Sequence, residues 1–261
     1  MEQQDGELYH RQVIDILQVI WGEGFLSPGG PDEVARLIAD ADLRGLSLLD
    51  IGCGAGGIDI ALVRDHGAGS VTAIDVEGTV IACARALIAR EGLSARIELV
   101  KVAPGPLPFP PGSFDVVFSK DSIVHIADKH TLMLEVFRVL KPGGRFIASD
   151  WLIGHDRAPS PAMAAYIAAE GLDFGMASPA RYQDAMRSAG FVDVSTTSRN
   201  AWYCETAKQE LERLRGPIGA AAARIVGQDF VEQNILIWSR MIPVLESGEH
   251  CPTHLRARKP R

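Results

Sequence analysis

The run Asp50-Ile51-Gly52-Cys53-Gly54-Ala55-Gly56-Gly57 limits what this chain can fold into more than any other stretch. An apolar segment, Leu46-Ser47-Leu48-Leu49-Asp50-Ile51, leads into it, and Ile58, Ile60, Ala61 and Val63 continue at helical spacing beyond it. A strand, a tight turn and a helix in that order let a ligand approach the backbone where side chains are missing, with the helix N-terminus aimed at it. Gly52, Gly54 and Gly57 satisfy G-x-G-x-x-G, a spacing that more than one nucleotide-cofactor site shares, so alone it selects none.

The alternation continues. Strands are expected over 71–75, 96–100, 114–118 and 145–151, with helices over 80–89 and 129–140, and the last of these strands is entered through Lys141-Pro142-Gly143-Gly144. Strands that alternate with helices make βαβ units and a parallel sheet, and short, nearly all-apolar strands suit a sheet covered on both faces. Before the sheet, Val13, Ile16, Leu17, Ile20 and Trp21 recur at helical spacing; a break at residues 27–30 follows, and Pro31-Asp32-Glu33 opens a second helix. After it come helical stretches over 181–189, 204–214 and 230–245 and strands over 192–197 and 253–257. With no internal repeat and no long linker, a single domain is expected over 1–261: N-terminal helices and a loop (1–45), a cofactor-binding core (46–152), and substrate-side helices with the last strands (153–261).

Composition excludes several classes. Lys plus Arg is 26 and Asp plus Glu is 33, so the net charge is 26 − 33 = −7, which argues against a nucleic acid partner, whose phosphates need a basic footprint. The basic tail, Arg256, Arg258, Lys259 and Arg261, reads as a solvated terminus. Cys53, Cys83, Cys204 and Cys251 are scattered, with no CxxC pair to hold zinc or cycle a disulfide, and no metal site is expected. No apolar run reaches the roughly 18 to 20 residues of a membrane span. Residues 1–8 are polar and acidic, unlike a signal or transit peptide, so a cytoplasmic location is expected.

Three features separate an adenosylmethionine site from a dinucleotide site. Asp50, immediately before the glycines, can reach the amino group of a bound amino acid; Asp75, ending the next strand, can accept both ribose hydroxyls; and Val139-Leu140-Lys141-Pro142-Gly143-Gly144-Arg145 follows Phe114-Asp115-Val116-Val117. In this order the motifs resemble the class I methyltransferases over about residues 47–151. The resemblance implies an α/β fold, a Rossmann-like, seven-stranded, mostly parallel sheet flanked by helices with an N-terminal helical lid. It also implies S-adenosyl-L-methionine as cofactor, S-adenosyl-L-homocysteine as product and a small-molecule acceptor as partner. Ser27, Gly29, Asp50, Gly52, Gly54, Asp75, Val76, Val102, Ala103 and Lys120 are the cofactor-binding residues it points to.

A narrower likeness rests on Trp21-Gly22-Glu23-Gly24-Phe25-Leu26-Ser27-Pro28-Gly29-Gly30 and on Phe118-Ser119-Lys120-Asp121-Ser122-Ile123-Val124-His125. These are similar to the closing loop and the stretch after strand four of phosphoethanolamine N-methyltransferases. By that resemblance Asp121 contacts the acceptor amine and His125 helps remove its proton; as substrate-binding residues, Trp21, Phe25 and Trp151 can offer aromatic faces to a cationic sulfonium or ammonium, Trp151 standing where the family has a phosphate-recognising tyrosine. The chain departs from the family where Leu17 stands at the place of a tyrosine that works with the histidine, where Met241 stands at a lysine's, and over 168–174, where an arginine is missing. Arg181 or Arg240 is left to supply a cation. The acid that meets the adenine amino group is replaced by Ala103. The leading expectation is N-methylation of a small polar amine. An O-, S- or C-methyltransferase of a more apolar molecule is the alternative. A nicotinamide-dependent oxidoreductase is disfavoured because Tyr166 and Tyr182 are followed four residues later by Glu170 and Met186 rather than lysine.

Overall fold

Parallel strands need crossover helices, and the chain supplies them in sequence order. The protein was examined as a computed structural model, which describes residues 9–172 and 174–261, so the reading of residues 1–8 lies outside the described part. Two compact units divide the chain, residues 1–105 and 106–261.

The first unit begins with helix α1 (Arg11–Trp21), which buries Ile14, Ile16, Leu17 and Ile20 and stops at Gly22, whose φ of 99° few other residues adopt. Helix α2 (Gly30–Leu37) follows, with Pro31 in its first turn and Asp32 and Glu33 at the positive end of its dipole. Strand β1 (Ser47–Ile51), helix α3 (Gly57–Arg64), strand β2 (Ser70–Asp75), helix α4 (Gly78–Arg90) and strand β3 (Ile97–Lys101) complete the unit. β1 pairs with β2, and β2 with β3, in parallel. Every residue of α3 from Gly57 to Val63 is buried, as a helix apolar on all sides must be.

The second unit opens with strand β4 (Phe114–Lys120), a 3-10 turn (Ile123–His125), helix α5 (Lys129–Val139) and strand β5 (Leu140–Asp150). β5 starts earlier than its sequence suggests, because the Lys-Pro-Gly-Gly turn is absorbed as an irregular lead-in. Phe114 pairs with Leu140 but Val116 with Arg145, and Lys141 reaches back to Asp115 at 2.8 Å. Then come α6 (Pro161–Glu170), α7 (Pro179–Ser188), β6 (Val192–Ser198), α8 (Asn200–Arg215), α9 (Pro217–Val226), α10 (Gln228–Glu246) and β7 (Thr253–Arg258). Ser160 and Ser178, each followed by proline, cap α6 and α7 through their side chains. Sequence periodicity did not resolve α6 or α9: the first is apolar on all sides and the second is an alanine run, so neither shows one apolar stripe. β7 runs antiparallel to both β5 and β6.

The sheet has seven strands in the order β3-β2-β1-β4-β5-β7-β6, so the expected Rossmann-like, mostly parallel architecture is the one found. Among the described residues no helix is long and apolar enough to cross a membrane.

Candidate active site

In the first unit the turn after β1 is held by main-chain bonds. Gly52, Gly54 and Gly56 take φ values of 79°, 55° and 88°, in the left-handed region that glycine tolerates without strain. The N–H groups of Gly52 and Cys53 both donate to the Ile74 carbonyl, at 2.8 and 3.1 Å, tying the turn to β2. The loop after α1 lies directly on it. Gly57 N–H donates to the Gly24 carbonyl at 2.9 Å, and a Cβ on Gly57 would sit 2.7 Å from that oxygen. Gln18 fixes the same loop by accepting from Gly24 N–H at 2.8 Å. Leu26 covers Gly54, Phe25 and Ser27 are buried, and Trp21 and Gly29 are half-buried beside them.

Three acids surround this turn. Asp75 accepts from Gly54 N–H at 3.3 Å and from Glu77 N–H at 3.0 Å. Burial lifts its pKa to about 6 even though these N–H groups pull the other way. Asp50 is buried, and neither of its carboxyl oxygens meets a donor among the described residues. Its neighbour Asp59, in the first turn of α3, is buried with both oxygens equally unpartnered. Burial, and then the charge of its neighbours, raises Asp59 well above the carboxylate range; burial brings Asp50 to about 7. The Cys53 thiol among these acids is pushed up as well, by burial first. Val76 is exposed just past Asp75, Val102 N–H donates to the Asp75 carbonyl at 3.0 Å, and Ala103 is exposed.

In the second unit the chain turns sharply after β4. Asp121 has φ 55°, unusual for a residue with a side chain, and is clamped from three sides. Its N–H donates to the Ser149 carbonyl at 2.7 Å, the Ser149 hydroxyl donates to its carboxylate at 2.8 Å, and the buried Lys120 ammonium stands 2.6 Å from its other oxygen. Lys120, expected at the cofactor, is thus paired with Asp121. The 3-10 turn carrying His125 is pinned by buried groups. Lys129 donates to the Ile123 and Ile126 carbonyls at 2.7 and 2.5 Å, and Asp150 accepts from Val124 N–H at 2.9 Å and from the Tyr182 hydroxyl. Burial lowers Lys129 to about 8 and raises Asp150 to about 7.

Aromatic rings adjoin this turn. His125 lies 5.5 Å from Phe174, Phe174 5.8 Å from Trp151, and Trp151 5.3 Å from His250 and 5.7 Å from Tyr203. Tyr166 stacks 5.4 Å from His250, and burial raises the half-buried Glu170 to about 7. The Tyr203 hydroxyl and His250 Nε2 are buried without a partner among the described residues, and burial depresses His250 to about 4. Leu17 and Met241 are buried, whereas Arg181 and Arg240 are exposed.

Residues 49–148 match the methyltransferase domain family. Phosphoethanolamine N-methyltransferase 1 of Arabidopsis thaliana is 33% identical over 196 residues, 75% of this chain and 39% of the plant protein. The chain carries a class I S-adenosylmethionine-dependent methyltransferase domain. Its likeness is to the phosphoethanolamine N-methyltransferase group, though it spans only about two fifths of the length of that relative. The methyltransferase domain is also 27% identical to an O-methyltransferase of Penicillium expansum, covering 75% of each protein. In fold it matches Haemonchus contortus phosphoethanolamine N-methyltransferase 2, solved with S-adenosyl-L-methionine, with a TM-score of 0.85 and 25% identity over 95% of this chain and 57% of that one.

The sequence-derived residues of the methyltransferase domain fall into two groups, each gathered within one unit. Trp21, Phe25, Ser27, Gly29, Asp50, Gly52, Gly54, Asp75, Val76, Val102 and Ala103 lie in the first; Lys120, Asp121, His125 and Trp151 in the second. Sequence reasoning missed Asp59, Lys129, Asp150, Glu170, Tyr203 and His250. Only Asp59 left a signal: a lone acid inside the apolar run Ile58 to Val63 has no solvent to face.

Proposed function

We propose that the chain transfers a methyl group from S-adenosyl-L-methionine to the nitrogen of a small polar amine. The observation that carries this reading is the buried carboxyl of Asp50, unpartnered at the glycine turn. A buried acid without a donor costs several kcal/mol unless a ligand cation arrives, and the α-amino group of the cofactor is such a cation. Asp75 keeps lone pairs for the ribose hydroxyls, the positive-φ glycines leave the backbone open, and the Val102-Ala103 turn offers main-chain groups to the adenine. The loop around Phe25, seated on Gly57 and Gly54, acts as the lid. When bound, the cofactor supplies an electrophilic methyl on a sulfonium.

The chain's own residues prepare the acceptor. Asp121, its charge already balanced by Lys120, accepts a hydrogen bond from the amine and leaves the lone pair free. His125 takes the proton as general base, a role an imidazole nitrogen can fill. Trp151 and Phe174 offer aromatic faces to the methylated, cationic product. The wall of Trp151, Phe174 and Tyr203 and the buried Met241 at a lysine's place suit an amine rather than a phosphate. The proposed acceptor is therefore a phosphate-free amine. The buried Leu17 and Met241, together with the likeness to an O-methyltransferase, favour a second reading in which a more apolar acceptor is methylated on oxygen.

A screen of ethanolamine, phosphoethanolamine, amino acids, phenols and thiols for release of S-adenosylhomocysteine tests the assignment. Turnover of amines that lack phosphate is expected. Turnover of phosphoethanolamine alone removes the phosphate argument, and turnover of phenols alone moves the reaction to oxygen.

A further inference from the structure

Asp50 and Asp59 form a carboxyl pair cut off from solvent. The first ends β1 and the second opens α3, and the two are within hydrogen-bonding reach of each other. Their relative exposures are 1% and 0%, and none of their four oxygens meets a donor among the described residues. The charges that act on the pair come from Asp75, another acid, and the buried Cys53 thiol feels the same three acids; among the described residues no lysine, arginine or histidine is a cause of the shift of either carboxyl. The α3 N-terminus favours an anion, but its first N–H, on Gly57, is already given to Gly24. Two buried carboxylates side by side repel, and one must hold a proton, which then becomes a donor to the other.

Resting on the cofactor reading above, we infer that Asp59 is a positioning residue of the cofactor site: as a neutral acid it donates to Asp50 and aims that carboxylate at the incoming α-amino group, whose binding expels the pair's second proton. The step balances. The pair in its doubly protonated form and a ligand ammonium give an ammonium–carboxylate contact, an intact O–H on Asp59 and one proton released to solvent. No covalent bond of the ligand changes. Only the amino-acid end of the ligand drives the release, because the adenosine end meets the turn elsewhere.

The test is titration calorimetry of the full chain with S-adenosylhomocysteine at pH 6.5, where the ligand amine is protonated, in two buffers of different ionisation heat. Most of one proton should be released per ligand bound, and Kd should weaken about tenfold per pH unit below pH 6.5. 5′-Methylthioadenosine, which lacks the amino acid, should release far less, at most the small fraction still held by Asp75 at the ribose. Asp59→Asn keeps the donor, the neutral state and the shape, so it should retain both the affinity and the proton release, which comes from Asp50. Asp59→Ala lacks the donor and should bind about tenfold more weakly than Asp59→Asn. Equal heats in both buffers, equal release by methylthioadenosine, or a release lost in Asp59→Asn would each overturn the inference. Should the variants not fold, the comparison of the two ligands on the natural chain decides it alone. If S-adenosylhomocysteine does not bind at all, the cofactor reading itself falls, an outcome distinct from binding without proton release.

Discussion

The proposed cofactor side, in the first unit, is made from a few neighbouring turns: Gly52 and Cys53 N–H donate to the Ile74 carbonyl, Gly57 N–H donates to the Gly24 carbonyl, and Gly54 N–H donates to the Asp75 carboxylate. The acceptor side of the second unit is assembled from side chains spread between Asp121 and His250, on β4, the 3-10 turn, α6, α8 and the approach to β7. Backbone geometry tolerates few substitutions, because a Cβ in the wrong place collides whatever its chemistry. A wall of side chains can exchange its members one at a time, as Trp151 and Met241 indicate here. On the proposed reading, the first unit fixes the kind of reaction, and the second fixes what the reaction acts on.

Substitutions in each unit test that division. His125→Ala should have the largest effect, lowering turnover about 10²- to 10⁴-fold while leaving S-adenosylhomocysteine affinity within about twofold, read by kinetics and calorimetry. Asp50→Asn should weaken S-adenosylhomocysteine binding about 100-fold, the loss of a charge-assisted bond. The same change should raise the thermal midpoint of the empty protein at pH 8. The folded pKa of Asp50 lies above its unfolded value, so its contribution to stability is present below about pH 4 and is lost as pH rises to about 7. The gain should shrink as the melting experiment is moved toward pH 5. Gly57→Ala places a methyl against the Gly24 carbonyl and should cost about 1–3 kcal/mol, with weakened cofactor binding and unchanged acceptor preference. Lys129→Met removes the donor to the Ile123 and Ile126 carbonyls and should lower turnover about tenfold with a small change in acceptor KM, because His125 is held less firmly. Tyr203→Phe should be smallest. Deleting an unpartnered hydroxyl stabilises the free chain by about 1 kcal/mol and raises the acceptor KM a few-fold only where the acceptor bonds it.

The same contrast explains what could be read from the sequence. Strands ending at Asp50 and Asp75 and the glycines between were legible because turn, strand and helix signals sit next to one another and each has a local physical cause. Asp121 and His125 were legible because they lie four residues apart on one turn. Glu170, Tyr203 and His250 were not, since nothing local marks residues brought together across long separations in the chain. The pinning of His125 by Lys129 and Asp150 was hidden for the same reason, and Lys129 read only as the start of a helix. Boundaries were misjudged where a pattern was too uniform to show a face, at α6 and α9, or where a turn merged into a strand, at β5.

The account's central claim is that the turn at Asp50 receives the amino-acid end of adenosylmethionine. A calorimetric titration of the purified chain with S-adenosyl-L-methionine against NAD tests it most directly. The account predicts saturable binding of adenosylmethionine and no heat from NAD. Binding of NAD with none of adenosylmethionine or adenosylhomocysteine would contradict it.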